Sequence, residues 1–243
     1  MQTCRMGTVM NETEGLLRRL LAFQMCDSTF PIGTFHHSFG MENYLREGRI
    51  RKGKDFRMWI ENYYRSQFLY GEGLLLLLVF RALDEDSFKK IPELDDLLTR
   101  STPALETRNG TKKIARQMLI LARTLHRDIP WMDAYETSIA DGRAHGNPAV
   151  VFALFAHAQG LCAQESFLMY GYSVASTLVQ NAVRSIPLGQ REGQVILTDV
   201  IRLLGQLYPQ AAELDEDCLG ASAPGLELAQ ILHETQEGRL FMS

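Results

Sequence analysis

The sequence predicts an all-α fold, a single-domain bundle of roughly ten helices, and three observations carry that prediction. Apolar residues recur with the helical period along most of the chain. The alternation expected of strands is almost absent. No low-complexity linker or fixed-period repeat divides the 243 residues. Phe56, Trp59, Ile60 and Tyr63 stand at i, i+3, i+4 and i+7, the apolar face of one helix. Ile114, Met118, Leu121, Ala122 and Leu125 form a second such face, and Ile196, Val200, Leu203, Leu204 and Leu207 a third. In chain order, helices are expected over 12–27, 34–47, 53–69, 72–84, 93–101, 103–126, 131–139, 148–159, 162–185, 188–208 and 224–236. Gly48, Gly71, Pro130, the Gly142–Gly146 stretch, Pro187 and Pro209 supply the stops. Ala149–Ala156 is apolar on every side and reads as a central helix because Pro148 suits a first helical turn, although Val150, Val151 and Phe152 are also good strand formers. Residues 1–11 are expected to be flexible, and 213–243 to form a loop followed by a tail.

Composition narrows the function classes. With 46% hydrophobic and 22% charged residues the chain is ordinary globular material, which excludes disordered, collagen-like and coiled-coil classes. Its 25 Lys+Arg against 29 Asp+Glu give a net charge of −4, so bulk charge does not recruit nucleic acid, no basic cluster supplies a phosphate footprint, and proteins are the expected partners. Cys4, Cys26, Cys162 and Cys218 are far apart, which fits neither a disulfide framework nor a zinc ribbon. The N-terminus has no signal-peptide core, and the greasiest run, Leu74–Phe80, is far shorter than the roughly 20 residues of a membrane span. A soluble, reduced, cytoplasmic protein is expected.

The chemical motifs of the common enzyme classes are missing. There is no Gly-x₄-Gly-Lys-Ser/Thr, no Gly-x-Gly-x-x-Gly and no His-Glu-x-x-His. Gly171-Tyr172-Ser173-Val174-Ala175 approaches a nucleophile elbow but lies in a helical stretch without the preceding strand. Adjacent His36 and His37 point about 100° apart on a regular helix and cannot chelate one ion. His145 and His157 could meet only through tertiary approach, and Asp215, Glu216, Asp217 and Cys218 read as a solvated loop. A metal site is left unassigned, and no catalytic group is nominated.

Three segments are odd for a plain helical bundle. Cys26–Glu42 holds a Phe30-Pro31-Ile32-Gly33 elbow, with Thr34 placed to cap the next helix; its Phe30, Ile32, Phe35 and Phe39 are either core or a docking surface. Ser173, Thr177, Gln180 and Arg184 share one helix face, a stripe that suits a buried polar seam, either a subunit interface or a passage lined with oxygen atoms, or else a merely solvated face. His233–Ser243 ends in Leu240, Phe241 and Met242, which pack on the chain itself or against a partner.

These segments together resemble the urease accessory protein UreF family. An Asp-Ser-x-Phe-Pro-x-Gly-x-Phe-x-His-Ser-x-Gly-x-Glu pattern is matched by Asp27, Ser28, Phe30, Pro31, Gly33, Phe35, His37, Ser38, Gly40 and Glu42. Arg-x-Ile-Pro-Leu-Gly-Gln is matched by Arg184 and Ile186 through Gln190, and His-Glu-x₄-Arg-Leu-Phe-x-Ser by His233, Glu234, Arg239, Leu240, Phe241 and Ser243. The family's Gly-x-His-x-Pro-Val-Val-Phe-Gly segment corresponds to His145-Gly146-Asn147-Pro148-Ala149-Val150-Val151-Phe152-Ala153, with the histidine displaced, and residues 84–112 match no family pattern. The resemblance implies a cytoplasmic, homodimeric, non-enzymatic scaffold of urease maturation. Such a scaffold binds UreH or UreD and the GTPase UreG, and serves nickel insertion into apo-urease. The alternative it implies is a regulator of that GTPase's hydrolysis. On this reading no cofactor is intrinsic, and nickel is handled by the complex. Partner contacts fall to His233, Glu234, Arg239, Leu240, Phe241, Asp27, Phe30, Pro31 and His37, and the dimer or polar seam to Ser173, Thr177, Gln180 and Arg184. Neither nucleic acid nor membrane is a partner.

Overall fold

Two helices with almost no polar face form the centre. In the computed structural model, which describes residues 12–126, 129–221 and 223–242, these are α4 (Leu74–Asp84) and α8 (Pro148–Ala158), packed against each other. Every residue from Ala149 to Ala156 is completely buried, as are Leu74, Leu75, Leu76 and Val79. A helix that is apolar all round has to be enclosed, and the amphipathic helices supply the enclosure. They are α1 (Glu12–Cys26), α2 (Met41–Arg46), α3 (Gly53–Tyr63), α5 (Lys90–Ser101), α6 (Leu105–Leu125), α7 (Pro130–Ala140), α9 (Ala163–Ser185), α10 (Gln190–Glu213) and α11 (Pro224–His233). No strand occurs among the described residues, so the ambiguity at Val150–Phe152 resolves to helix. Pro148 occupies the first turn of α8, and the Asn147 side chain caps it by accepting from Ala149 N–H at 2.8 Å. The expectation for residues 1–11, with Cys4, lies outside the described residues, as does Ser243.

The remaining boundaries differ from the expected ones for physical reasons. The helix expected over 34–47 is broken into a 3-10 turn, Thr34–His36, and α2, because Phe39 and Gly40 take positive φ (52° and 90°). Gly33 precedes that turn, and Thr34 opens it rather than capping a helix. A Cβ on Gly40 would lie 3.0 Å from Gln230 and 3.2 Å from Leu226, so the break lets α11 approach. The expected stop at Gly71 is a kink (φ −104°, ψ −114°) inside a π-helical stretch, Tyr64–Gly73, that joins α3 to α4. The resulting 32-residue run, Gly53–Asp84, has the length and apolarity to cross a membrane, but 72% of its apolar window is buried in this bundle, the position of a core helix. Pro209 does not stop α10, which continues to Glu213. There the Arg81 guanidinium donates to the carbonyls of Ala212 (2.6 Å) and Leu214 (2.7 Å), satisfying acceptors that a helix end leaves open.

Helices α9 and α10 pack against each other over much of their length, and glycine permits their close approach. Gly171 brings α9 onto α10 and the π-helical stretch: an added Cβ would sit 2.5 Å from Leu204 and 3.1 Å from Phe68, while Tyr64 Oη donates to the Gly171 carbonyl at 2.6 Å. The Gly-x-Ser-x-Ala sequence there serves packing inside a helix. Gly171→Ala is expected to cost about 1–3 kcal/mol by overpacking, whereas Gly205→Ala, with open space around it, should gain about 0.5–1 kcal/mol of helix propensity. Denaturant midpoints compare the two, and an unchanged midpoint for Gly171→Ala would show slack between α9 and α10.

Candidate functional site

A buried carboxylate collects the elbow, α6, α11 and the tail. Glu42, in the first turn of α2, is 3% exposed, and four groups converge on or around it. His233, wholly enclosed at the end of α11, hydrogen-bonds Glu42 Oε2 through Nε2 (3.0 Å) and Glu106 Oε2 through Nδ1 (2.9 Å). The backbone N–H groups of Leu240 and Phe241 donate to the two Glu42 oxygens at 2.6 and 3.0 Å. Arg239 pairs with Glu106 and donates to the carbonyls of Glu234 (2.6 Å) and Gln236 (2.8 Å). Burial pushes the Glu106 carboxyl up, but the bonds from His233 and Arg239 outweigh it and hold the group below the usual carboxylate range. Glu234 accepts from the N–H of Leu105 (2.6 Å), where α6 has a free donor. Phe241 is buried beneath this network, and Leu240 is 73% exposed.

The elbow is fastened from the other side by α9. Asn181, fully buried, donates to the His37 carbonyl at 2.9 Å, and Arg184 donates to the Phe35 carbonyl at 2.9 Å and to Asn181 Oδ1. The Arg184 guanidinium also lies 5.8 Å from the Phe35 ring centre and 5.7 Å from that of Phe241, holding elbow and tail together. His37 is buried against α6 at Gly110, where any Cβ would come within 2.7 Å of its ring. Burial first, then the charges of His36 and Lys113, push its imidazole down to about 4. The histidines do not gather: His145 meets Asp96 at 2.8 Å, His157 meets Asp84 at 3.1 Å, and among the described residues no group of three or more His, Cys, Asp or Glu could hold a metal.

Between elbow and core lie two narrow cavities of about 50 and 40 Å³ that share Phe39, Glu72 and Thr111 as walls. Ser173 and Thr177 of the polar stripe line the smaller cavity, half-buried Gln180 follows, and Arg184 emerges at the surface. The stripe is therefore buried only at Thr177, half-buried at Ser173 and Gln180, and exposed at Arg184. Burial pushes the Glu72 carboxyl up to about 7, against a lowering hydrogen bond from Tyr170 Oη at 2.9 Å. The larger cavity also contains Gln230, whose Oε1 is buried without a protein partner, an acceptor for water in a polar space.

The profile of the UreF family matches residues 50–201. The urease accessory protein UreF of Streptococcus salivarius (strain 57.I) is 53% identical over 220 residues, 90% of this chain and 92% of that protein. The UreF proteins of two Streptococcus thermophilus strains, LMD-9 and LMG 18311, are 54% identical over the same shares. The chain belongs to the UreF family. The three segments that carry the UreF resemblance prove to be one structural unit, in which the first supplies Glu42, the second Arg184, and the third His233 and the tail.

That unit changes what the nominated residues can do. His233, His37, Phe30 and Phe241 have their side chains withdrawn into the fold, so in this conformation they support a surface rather than form one. Glu234 is half-buried and engaged with α6, and Asp27 is bound by Thr29, whose side-chain and backbone bonds lower its pKa. Pro31, Arg239 and Leu240 remain exposed. Several organising residues were missed: Glu106, Gly110, and Asp95, whose buried Oδ2 accepts from Tyr135 Oη and from the N–H groups of His145 and Gly146. Two apolar surfaces were missed as well, on α1 and on α11. Their signal was present, since Leu16, Leu17, Leu20 and Leu21 leave α1 little polar face.

Glu42→Ala is expected to destabilise by about 3–5 kcal/mol, because His233 and two tail N–H groups lose a buried partner. Leu240→Ala should change stability by under about 0.5 kcal/mol. Urea denaturation separates the two, and equal effects would detach the tail from Glu42. The raised Glu72 pKa also has a pH signature. The folded state holds this proton more tightly than the unfolded chain, so its contribution is full below about 4.5 and is lost as pH rises toward about 7. Melting of Glu72→Gln against wild type should therefore show the variant gaining on wild type between those pH values, and parallel curves would place Glu72 in water.

Proposed function

We propose that this UreF-family protein is a non-catalytic, cytoplasmic, homodimeric scaffold of urease maturation that bridges UreH or UreD and the GTPase UreG during nickel insertion into apo-urease. The observation that carries the proposal is a pair of exposed apolar surfaces at opposite ends of α6, a helix of 21 residues and so about 31 Å long. Near its N-terminal end lies the outer face of α11, with Leu228, Ile231 and Leu232 exposed, beside Leu105 and the tail. Near its C-terminal end lies a groove of about 440 Å³ walled by Leu20, Phe23, Pro31, Leu121 and Leu125 over buried Phe30, and continued by exposed Leu16 and Leu17. A scaffold needs separate surfaces for separate partners, and apolar patches of this kind mark such contacts.

The α11 and tail surface is assigned to UreH or UreD, and the α1 and elbow groove to the second protomer. Each apolar side chain fully covered on docking is worth roughly 1.5–3 kcal/mol. Leu228→Asp with Leu232→Asp should weaken binding to UreH or UreD at least about tenfold and leave the dimer intact. Leu16→Asp with Leu20→Asp should yield a monomer that still binds UreH or UreD. Calorimetry and light scattering read the two arms. Unimpaired binding by the first variant, or an unimpaired dimer in the second, would overturn the corresponding assignment.

A further inference from the structure

The charges of this chain are sorted to the two ends of one helical layer. Helix α10 runs alongside the Gly53–Asp84 run in the same direction: Glu192 lies over Gly53, Asp199 pairs with Arg57, and the end of α10 meets Arg81. At the starting end, the segment 46–57 carries Arg46, Arg49, Arg51, Lys52, Lys54 and Arg57 against Glu47 and Asp55, all six cations exposed, with exposed Arg191 of α10 beside them. At the finishing end, Asp84 closes α4 ahead of Glu85 and Asp86, and Glu213 closes α10 ahead of Asp215, Glu216 and Asp217, these seven carboxylates outnumbering Arg81, Lys89 and Lys90. The 24 residues of α10 set these ends about 36 Å apart.

Folding accounts for only part of the basic end. Arg49 pairs with Glu47 and lies over the Tyr44 ring, Arg57 pairs with Asp199, and Arg51 donates through Nε to the Gly48 carbonyl at 2.6 Å while its backbone N–H donates to Asp55. The side-chain cations of Arg46, Lys52, Lys54 and Arg191 have no ion-pair carboxylate within 4 Å among the described residues. Helix starts favour negative charge, so Lys52 and Lys54 at the start of α3 and Arg191 at the start of α10 work against local helix energetics, whereas Arg46 suits the last turn of α2. We propose that the basic end is an interaction surface for a carboxylate-rich face of a partner protein in the urease-maturation assembly. The proposal rests on the scaffold reading above and uses neither apolar surface. Glu47, Asp55 and Glu192, set among the cations, would repel the uniform charge of a phosphate polymer at close range but match a protein surface that mixes carboxylates with an occasional cation.

The test uses the full chain with Lys52→Glu and Lys54→Glu, and Lys52→Gln with Lys54→Gln as the milder pair should the first fail to fold. Lys89→Glu, at the acidic end, is the control. Calorimetry against purified UreH or UreD, UreG and apo-urease at low and physiological ionic strength should show affinity for one of the three falling at least about tenfold in the variant. The salt dependence of that binding should flatten, and Lys89→Glu should behave as wild type. Unchanged affinity for all three overturns the assignment. So does a variant whose loss is a halved mass in light scattering, which would put a second copy on this end, or lost retention on duplex DNA, which would put a polyanion there. Wild-type chain that binds none of the three overturns the scaffold reading itself, and this surface with it.

Discussion

The Glu42 carboxylate is the constraint on which the elbow, the last helix and the tail all depend. A carboxylate taken out of water is costly unless its lone pairs are filled, and here they are filled by His233 and two consecutive tail N–H groups. Those donors come from residues about 190 to 200 positions away in sequence. His233 is in turn fixed by Glu106, and Glu106 by Arg239, so the tail closes a loop of interactions that returns to its own backbone. Removing one member leaves the others with unmet polar groups in a dry place, and the unit behaves as a network rather than a set of pairs.

That network is what makes an exposed surface out of a chain end. Phe241 is anchored beneath it and Arg184 bridges Phe35 to Phe241, so Leu240 and the outer side of α11 are presented on a fixed support. A partner meeting this surface does not bear the full cost of ordering it. The α1 groove is supported differently, by the packing of Ala22, Met25 and Cys26 into the core behind it, where burial pushes the Cys26 thiol up and leaves it inert.

How much of this was legible follows from the range of each interaction. The central helix α8 could be read because Pro148 and an unbroken apolar run are local signals. The elbow could be read as unusual, but not the left-handed turn at Phe39 and Gly40, because α11 imposes that turn from nearly two hundred residues away. Pro209 was read as a stop and is not one, since the end of α10 is held by Arg81 from another helix. The family was legible from its motifs, yet a motif gives no sign of whether a side chain faces a partner or the interior. His233, which the resemblance assigns to partner contact, lies at the centre of the network. Asp95 is not legible because an aspartate beside Asp96 and Glu93 looks like part of a solvated acidic face until the chain near Gly146 folds over it.

The span between Glu42 and the tail also bears on how the molecule is made. As the chain is synthesised, the elbow, α2 and most of the bundle emerge long before residues 239–242, and domains tend to organise from the N-terminal side as they appear. Throughout that interval the Glu42 and Glu106 carboxylates have no His233 or Arg239 to meet, and the site stays hydrated and open. Asn181 and Arg184 of α9 can hold one side of the elbow earlier, but its Glu42 side is completed by the final turn of α11 and the strap beyond it. A molecule that stalls or is clipped before that point carries an unsealed, water-exposed seam between the elbow and α6. Locally open segments of that kind are the ones proteolysis reaches first.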